Sequence, residues 1–422
     1  MRSARLAGLV VVLALAALPA TNPVAAVAEA GLEGIPHYDH VVVLIEENED
    51  FDSTFGPGSP AVFLNSVLRP MGTMDDQYYA TGHVSLDNYI AMTSGQPDNP
   101  ATGTDCMGLN LFTCAQGQLA MANGRNLGDQ LDGVNVTWRQ YSDGTTKPCV
   151  HADYSPAAGA DTYQGDGGTP TSATGAGPDY ADRHVPWLYY PNIVGDNPRC
   201  VAHLLPFTSL AADLAFDTLP GFSFITPDTC NDGHDAPCSG GGPGGLTGAD
   251  AWLQGPADIQ GLLSYLEAHN GLLIITLDEA SISDISGCCH GGPGGTAGFG
   301  GRVGLLAIGP GVAPGGTIHT EYDHASLLRT IEDVFGVDEH LNNAGASDPM
   351  VDLFTAGTTS PDSPGPGTPG AGDPTPGANR SGGLPNTTAS QTPASPPPAA
   401  LLALVPLAAA LGLRSWRRGR RP

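Results

Sequence analysis

The sequence predicts a doubly wound, mostly parallel α/β sheet sandwiched by helices and carrying long loop insertions. Three observations lead there. Four apolar runs are continuous rather than alternating, as strands covered on both faces require: His40 to Ile45, Gly221 to Thr226, Leu272 to Leu277 and Val303 to Ile308. Helical stripes lie between and after them, with Ile259, Leu262, Leu263 and Leu266 in 256–269, and Leu327, Leu328, Ile331, Val334 and Phe335 in 325–335. Strands alternating with helices give a parallel sheet wrapped on two sides. The stretches 100–126, 143–200 and 236–250, rich in Gly, Pro, Asp and Thr, read as loops or insertions.

The ends of the 422-residue chain read as addresses rather than fold. Residues 1–30 carry Arg2 and Arg5, an apolar run from Leu6 to Leu18 and the small-residue pattern Ala26-Val27-Ala28, the layout of a secretory signal peptide. Residues 31–356 are expected to form the folded body. Residues 357–398, dominated by Pro, Gly, Ser and Thr, cannot bury a core and form a disordered linker. In the linker, Leu384-Pro385-Asn386-Thr387-Thr388 resembles a sortase sorting signal, with Thr388 where that signal has Gly. Residues 399–422 combine an apolar stretch, Ala399 to Leu413, with Arg414, Arg417, Arg418, Arg420 and Arg421, and are expected to be a transmembrane or cell-wall anchor. The expected location is extracellular or on the cell surface.

Charge narrows the partners. Asp and Glu number 43 against 16 Lys and Arg, a formal net charge of −27, so a phosphate backbone is repelled and nucleic acid is excluded as a partner. Acidic residues are also the usual oxygen ligands of hard divalent metals. The eight cysteines, an even count in an exported chain, favour disulfides over thiol chemistry. Cys106 with Cys114 and Cys230 with Cys238 would close short loops, and the adjacent Cys288 and Cys289 leave their pairing open.

Chemistry gathers where strands end. The first strand runs into Glu46-Glu47-Asn48-Glu49-Asp50 and the third into Asp278-Glu279, and open α/β sheets bind ligands at the carboxyl ends of their strands. Carboxylates collected there repel one another unless a divalent cation, of unassigned identity and in one or two sites, lies among them. Asp228, Asp232 and His234 follow the second strand within a few residues, and His324 opens the last helix. Ser85 starts a helical stretch that ends at Gly95. It reads either as a cap or as a nucleophile whose hydroxyl is activated by a neighbouring cation, with Asn88 holding a phosphoryl oxygen.

Together these residues resemble a known family. His40 to Asp52 with Phe55-Gly56, Ser85 to Ala91, Pro227-Asp228 through His234-Asp235, Thr276 to Glu279, Gly301-Arg302-Val303 through Val312, and His324 through Gly336 are similar, in the same order, to the phosphoesterase family of secreted acid phosphatases and phosphatidylcholine-type phospholipases C. That family belongs to the alkaline-phosphatase-like superfamily. The resemblance implies a hydrolase of phosphoric esters with Glu47, Asn48, Asp278, Glu279 and Ser85 at the metal, and Ser85 as covalent nucleophile. It makes Asn88 a phosphate-holding residue. Asp228, Asp232, His234 and His324 then stand where related two-metal enzymes keep a second site; they serve otherwise in phosphate binding or acid-base work. His83 either orients the nucleophile or binds phosphate, or is structural. Glu49-Asp50 stands where the family has Arg-Ser, and Asp87 where it has Pro. The expected substrate is a small phosphomonoester. The alternatives are a phospholipid, cleaved in the manner of phospholipase C, and a catalytically inactive surface binding module.

Overall fold

The computed structural model describes residues 31–99, 102–105, 125–150, 154–155, 160–161, 177, 179–239, 241–290 and 300–355. Its centre is one eight-stranded sheet. In chain order the strands are β1 (His40–Glu46), β2 (Thr73–Asp75), β3 (Trp138–Ser142), β4 (Leu204–Pro206), β5 (Phe222–Thr226), β6 (Gly271–Leu277), β7 (Leu305–Ile308) and β8 (Gly316–Ile318). Across the sheet they run β8-β2-β7-β6-β1-β5-β3-β4. Every pairing is parallel except the two made by β7, so the expected mostly parallel, doubly wound α/β architecture is what forms.

Continuous apolar runs make the central strands. Val41 to Ile45, Leu272 to Ile275, and Phe222 with Phe224 and Ile225 are all buried, leaving no solvent face for a polar alternation. The four strands read from the sequence occupy the middle of the sheet, within two residues of their expected ends. Strands β2, β3, β4 and β8 were not among them: β2, β4 and β8 have three residues each, and β3 (Trp-Arg-Gln-Tyr-Ser) has no apolar run.

Four helices matter for the site and its support: α1 (Ser85–Ser94), α2 (Gly245–Gln254), α3 (Ile259–Ala268) and α4 (His324–Val334). Helix α3 turns its stripe Ile259, Leu262, Leu263 and Leu266 onto the sheet, and α4 packs against α1. Helix α1 stops at Gly95, whose φ of +66° suits glycine and whose added Cβ would sit 2.3 Å from the Leu341 carbonyl oxygen. Helix α2 corrects the loop expectation for 236–250. Leu246, Ala249, Trp252 and Leu253 form a helical stripe that buries against the body despite the glycines before it.

Disulfides join Cys149 to Cys200, Cys230 to Cys238, and the adjacent Cys288 and Cys289 to each other. Cys106 and Cys114 lie outside the described residues. The transmembrane expectation is corrected: no helix of the described residues is long and apolar enough to cross a membrane. The apolar run from Ala399 to Leu413 is itself shorter than the roughly 20 residues a spanning helix needs. Residues 399–422, together with the signal peptide 1–30 and the linker 357–398, lie outside the described residues.

Candidate active site

Strand register builds the site. β1 and β6 pair in parallel from His40↔Gly271 to Glu46↔Leu277, so the next residues, Glu47 and Asp278, leave the sheet side by side. The Asp278 amide donates to the Glu46 carbonyl oxygen at 3.0 Å, and the Glu47 amide donates to the Asp232 carbonyl oxygen at 2.7 Å. The loop after β5 is thereby drawn to the same crevice.

Ser85 is the first residue of α1 and makes no capping bond; its neighbour Val84 stands at the cap position. Its hydroxyl instead donates to Glu47 Oε2 at 3.1 Å. Glu47 is fully buried and accepts a second bond, from the Tyr89 hydroxyl, at 2.5 Å. Asp278 Oδ1 accepts from the Asn48 amide at 3.2 Å and the Glu279 amide at 2.6 Å, while Asp278 Oδ2 has no partner. Asn48 holds a φ of +58°, a left-handed conformation that asparagine tolerates better than most residues. Asn88 binds the loop before α1: its oxygen accepts from the Thr81 and Gly82 amides, and its nitrogen donates to the Gly82 and Val84 carbonyl oxygens and to Glu279 Oε2.

The remaining five expected residues each have their own surroundings. Asp232 joins the crevice, its Oδ2 3.4 Å from His184 Nδ1. Asp228 keeps one oxygen without a partner, and burial, with Asp143 and Asp179 nearby, pushes its pKa up to about 7. His324 lies under the site: its Nε2 donates to the Asp278 carbonyl oxygen at 2.7 Å and its Nδ1 accepts from the Tyr78 hydroxyl at 2.9 Å. Burial pushes its pKa down to about 4, so it stays neutral. His83 Nε2 donates to the Asp284 carbonyl oxygen at 2.9 Å, and its Nδ1 is buried without a partner. His234 lies between Asp235, at 2.8 Å from Nδ1, and Arg183, at 3.1 Å from Nε2.

Sequence reasoning missed Arg183 and His184. Both sit in a short turn, Asp182–His184, within the stretch read as a loop, and both are buried. His184 Nε2 is 3.2 Å from Glu47 Oε1, and the Tyr89 ring stacks on its imidazole. The available signal was a rare arginine beside a histidine in a chain poor in basic residues.

Glu47, His184 and Asp232 bring one ligand atom each within 4.8 Å of one another, all three buried, a grouping able to hold a metal ion. The electrostatics fit a divalent cation. Burial, reinforced by Asp278 and Asp232, pushes Glu47 well above the carboxylate range. Burial with Asp278 and Asp87 does the same to Glu279, and burial alone carries Asp278 to about 7. Burial, followed by Arg183 and His234, holds His184 well below its usual value, so it offers a neutral imidazole. Unpartnered buried oxygens on Asp278 and Asp232, beside a neutral imidazole, form a donor set of the nitrogen and oxygen kind that divalent metals take.

The phosphoesterase family model matches residues 60–338. The chain belongs to the phosphoesterase family. As a phosphoesterase it is a hydrolase acting on phosphoric ester bonds. Among similar proteins, the phosphatidylinositol-3-phosphatase of Mycobacterium tuberculosis is 27% identical over 82% of this chain and 93% of its own. An acid phosphatase of Aspergillus fumigatus is 29% identical over 40% of this phosphoesterase, which spans 31% of that relative's length. A Vibrio parahaemolyticus protein described as belonging to the alkaline phosphatase superfamily superposes with a TM-score of 0.43 at 14% identity, covering 75% of this chain and 72% of that one.

Proposed function

We propose that the protein is an exported, metal-dependent phosphomonoesterase of the acid-phosphatase kind, acting through a phosphoserine intermediate on Ser85. The observation that carries this reading is the 3.1 Å bond from the Ser85 hydroxyl to Glu47 beside the Glu47, His184 and Asp232 group. Glu47, His184 and Asp232, with Asp278, Glu279 and Asn48 next to them, would hold a divalent ion, which would supply Lewis acidity to the serine hydroxyl and a counter-charge for the phosphoryl oxygens.

Ser85 Oγ attacks phosphorus in line, the bond to the leaving oxygen breaks, the serine proton passes to Glu47 Oε2, and the departing alkoxide takes a proton from solvent water to leave as the alcohol. Water then attacks the phosphoserine, the Oγ–phosphorus bond breaks, phosphate leaves, and Ser85 regains its proton. Asn88, through the Thr81 to Val84 loop it binds, fixes the approach to Ser85, and His83 is tied to the loop after β6 through the Asp284 carbonyl oxygen. The signal-like start of the chain and the disulfides support export.

One observation favours a second reading, a phosphoester borne on a lipid. Ile282 and Ile285, 82% and 69% exposed, stand on the loop leaving Glu279, and Asp284 of that loop holds His83. The mycobacterial relative is named as a phosphatase of a phosphorylated inositol lipid, which agrees with a monoester on such a carrier. Turnover of p-nitrophenyl phosphate, p-nitrophenyl phosphorylcholine and a short-chain phosphoinositide monoester, with Ser85→Ala and chelated controls, tests both readings. Monoester cleavage lost in both controls supports the proposal. Preference for the choline diester replaces it with a phospholipase C, and full activity in Ser85→Ala removes the nucleophile.

A further inference from the structure

The loop that leaves the crevice after Glu279 is fixed in its backbone and apolar on its outer side. The Ala280 amide donates to the Gly300 carbonyl oxygen at 2.9 Å, and the Ser281 amide and hydroxyl donate to the two Asp50 carboxylate oxygens at 2.9 and 3.0 Å. The Asp284 amide closes a turn onto the Ser281 carbonyl oxygen at 2.9 Å, and the Asp284 carboxylate accepts from the Ser286 and Arg302 amides at 2.9 and 3.0 Å. The Gly301 amide then holds the Ser286 carbonyl oxygen at 2.9 Å. Within this frame the chain reads Ser281-Ile282-Ser283-Asp284-Ile285-Ser286, and the isoleucines are the side chains left to solvent without a polar group. Single exposed apolar residues are ordinary. Among the described residues, however, no other two exposed large apolar side chains stand within three positions of each other.

Area and charge select what covers them. Burying both isoleucines removes on the order of 200 Å² from water, at about 25 cal/mol per Å² and about 1.5–3 kcal/mol each. A standard protein interface takes about 800 Å² per partner, so the pair is too small to seat a second copy or another globular protein. A bilayer sets no such threshold, because apolar side chains enter the headgroup and acyl boundary one by one. The charges around the loop are Asp50 and Asp284, with Arg302 paired to Asp52 at 2.8 Å, in a chain of formal net charge −27. Anionic lipid surfaces attract basic clusters, which this loop lacks, so the matching surface is zwitterionic.

We propose that Ile282 and Ile285 dock the phosphoesterase on a zwitterionic phospholipid surface and present its crevice to phosphomonoesters held in that surface. The loop begins at Glu279, and its Asp284 carbonyl oxygen accepts from His83 Nε2 at 2.9 Å, two residues before Ser85, so a surface seated on the isoleucines lies beside the serine. The inference rests on the reading that the substrate phosphoester is borne on a lipid.

The test compares the full-length wild type with a chain carrying both Ile282→Ser and Ile285→Ser. Co-sedimentation with phosphatidylcholine vesicles reads docking. Turnover is followed on p-nitrophenyl phosphate, a short-chain phosphoinositide monoester in solution, and a long-chain phosphoinositide monoester in the same vesicles. Both proteins share the apolar and basic residues 399–422, so the difference between them reports the loop. The double variant is expected to partition onto the vesicles about 10-fold or more weakly, a fraction of what full burial of two isoleucines would give. Its KM for the vesicle-borne monoester should rise by a similar factor with kcat unchanged, and both soluble substrates should be turned over as by the wild type. Equal partition of the two proteins, or cleavage of the short-chain lipid with none in vesicles, overturns the docking and leaves the lipid reading intact. A wild type that cleaves p-nitrophenyl phosphate and neither phosphoinositide removes the lipid reading and this inference with it.

Discussion

Ser85 and Glu47 come from elements 38 residues apart, yet the serine hydroxyl meets the carboxylate at 3.1 Å at the first residue of a helix. A serine at the cap position would turn back to bond its own helix; this one, a residue further on, points away to the end of β1. Its removal is therefore expected to leave the helix standing and to end the chemistry. Ser85→Ala should lose about 10³-fold or more of kcat/KM on p-nitrophenyl phosphate with a Tm near that of the wild type. Acid-quenched ³²P labelling should detect a phosphoenzyme in the wild type alone.

His184 lies between Glu47 and Asp232 with no hydrogen-bond partner on its ring nitrogens. Replacing it by alanine takes a nitrogen donor from the group, and metal affinity is expected to fall by about 10-fold to 100-fold. Competition with a fluorescent chelator measures this directly. Unchanged affinity would remove His184 from the ligand set.

His324 braces the Asp278 backbone against Tyr78. His324→Ala strands a buried carbonyl oxygen and a buried hydroxyl, and should destabilise the fold by about 2–4 kcal/mol. Urea unfolding checks the value, and a loss below about 1 kcal/mol would deny the brace.

Two buried carboxyls away from the site set a pH dependence of stability. Burial pushes Glu332 and Asp75 up to about 8 each, so both are protonated in the folded protein where the unfolded chain has them ionised. The folded state then holds the extra protons. Stability contributed by each group is complete below about pH 4, and is lost as pH rises toward 8, by about 1.4 kcal/mol per pH unit. Glu332→Gln keeps an acceptor for the Leu341 amide that bonds Glu332 Oε1. Denaturant titrations between pH 5.5 and 7.5 should show a slope reduced by about that amount, and an unchanged slope would refute the assignment.

The Cys149–Cys200 bridge has a sequence separation of 51 and ties the end of β3's loop to the residues before β4. Replacing both cysteines by alanine should cost about 4 kcal/mol through the freed unfolded chain. Calorimetry would register this as a lower Tm, with metal stoichiometry unchanged.

The legible parts of the sequence were those in which one physical constraint dominated. Buried central strands demand uninterrupted apolar runs, so β1, β5, β6 and β7 could be read with the carboxylates that follow them. Edge strands such as Gly316–Ile318 bury little and leave almost no pattern. The 236–250 stretch was misread because glycine content outweighed the stripe Leu246, Ala249, Trp252 and Leu253. Glu47, Ser85, Asp278 and Asp232 meet because they follow from strand ends and one helix start. Arg183 and His184 escaped because a turn without periodicity delivers them, and only the folded chain reveals what they touch.

The seven-rung ladder between His40–Glu46 and Gly271–Leu277 acts as a ruler for everything beyond it. Because two of the crevice's acidic groups are the first residues past the last rung, their separation is set by backbone spacing inside the sheet and not by the lengths of the connecting segments. Loop insertions between these strands can lengthen or change sequence without altering that separation. A single residue added within either strand would carry one carboxylate past the other and turn its side chain to the opposite face, so the tolerance of this enzyme to insertion should change abruptly at the strand boundaries.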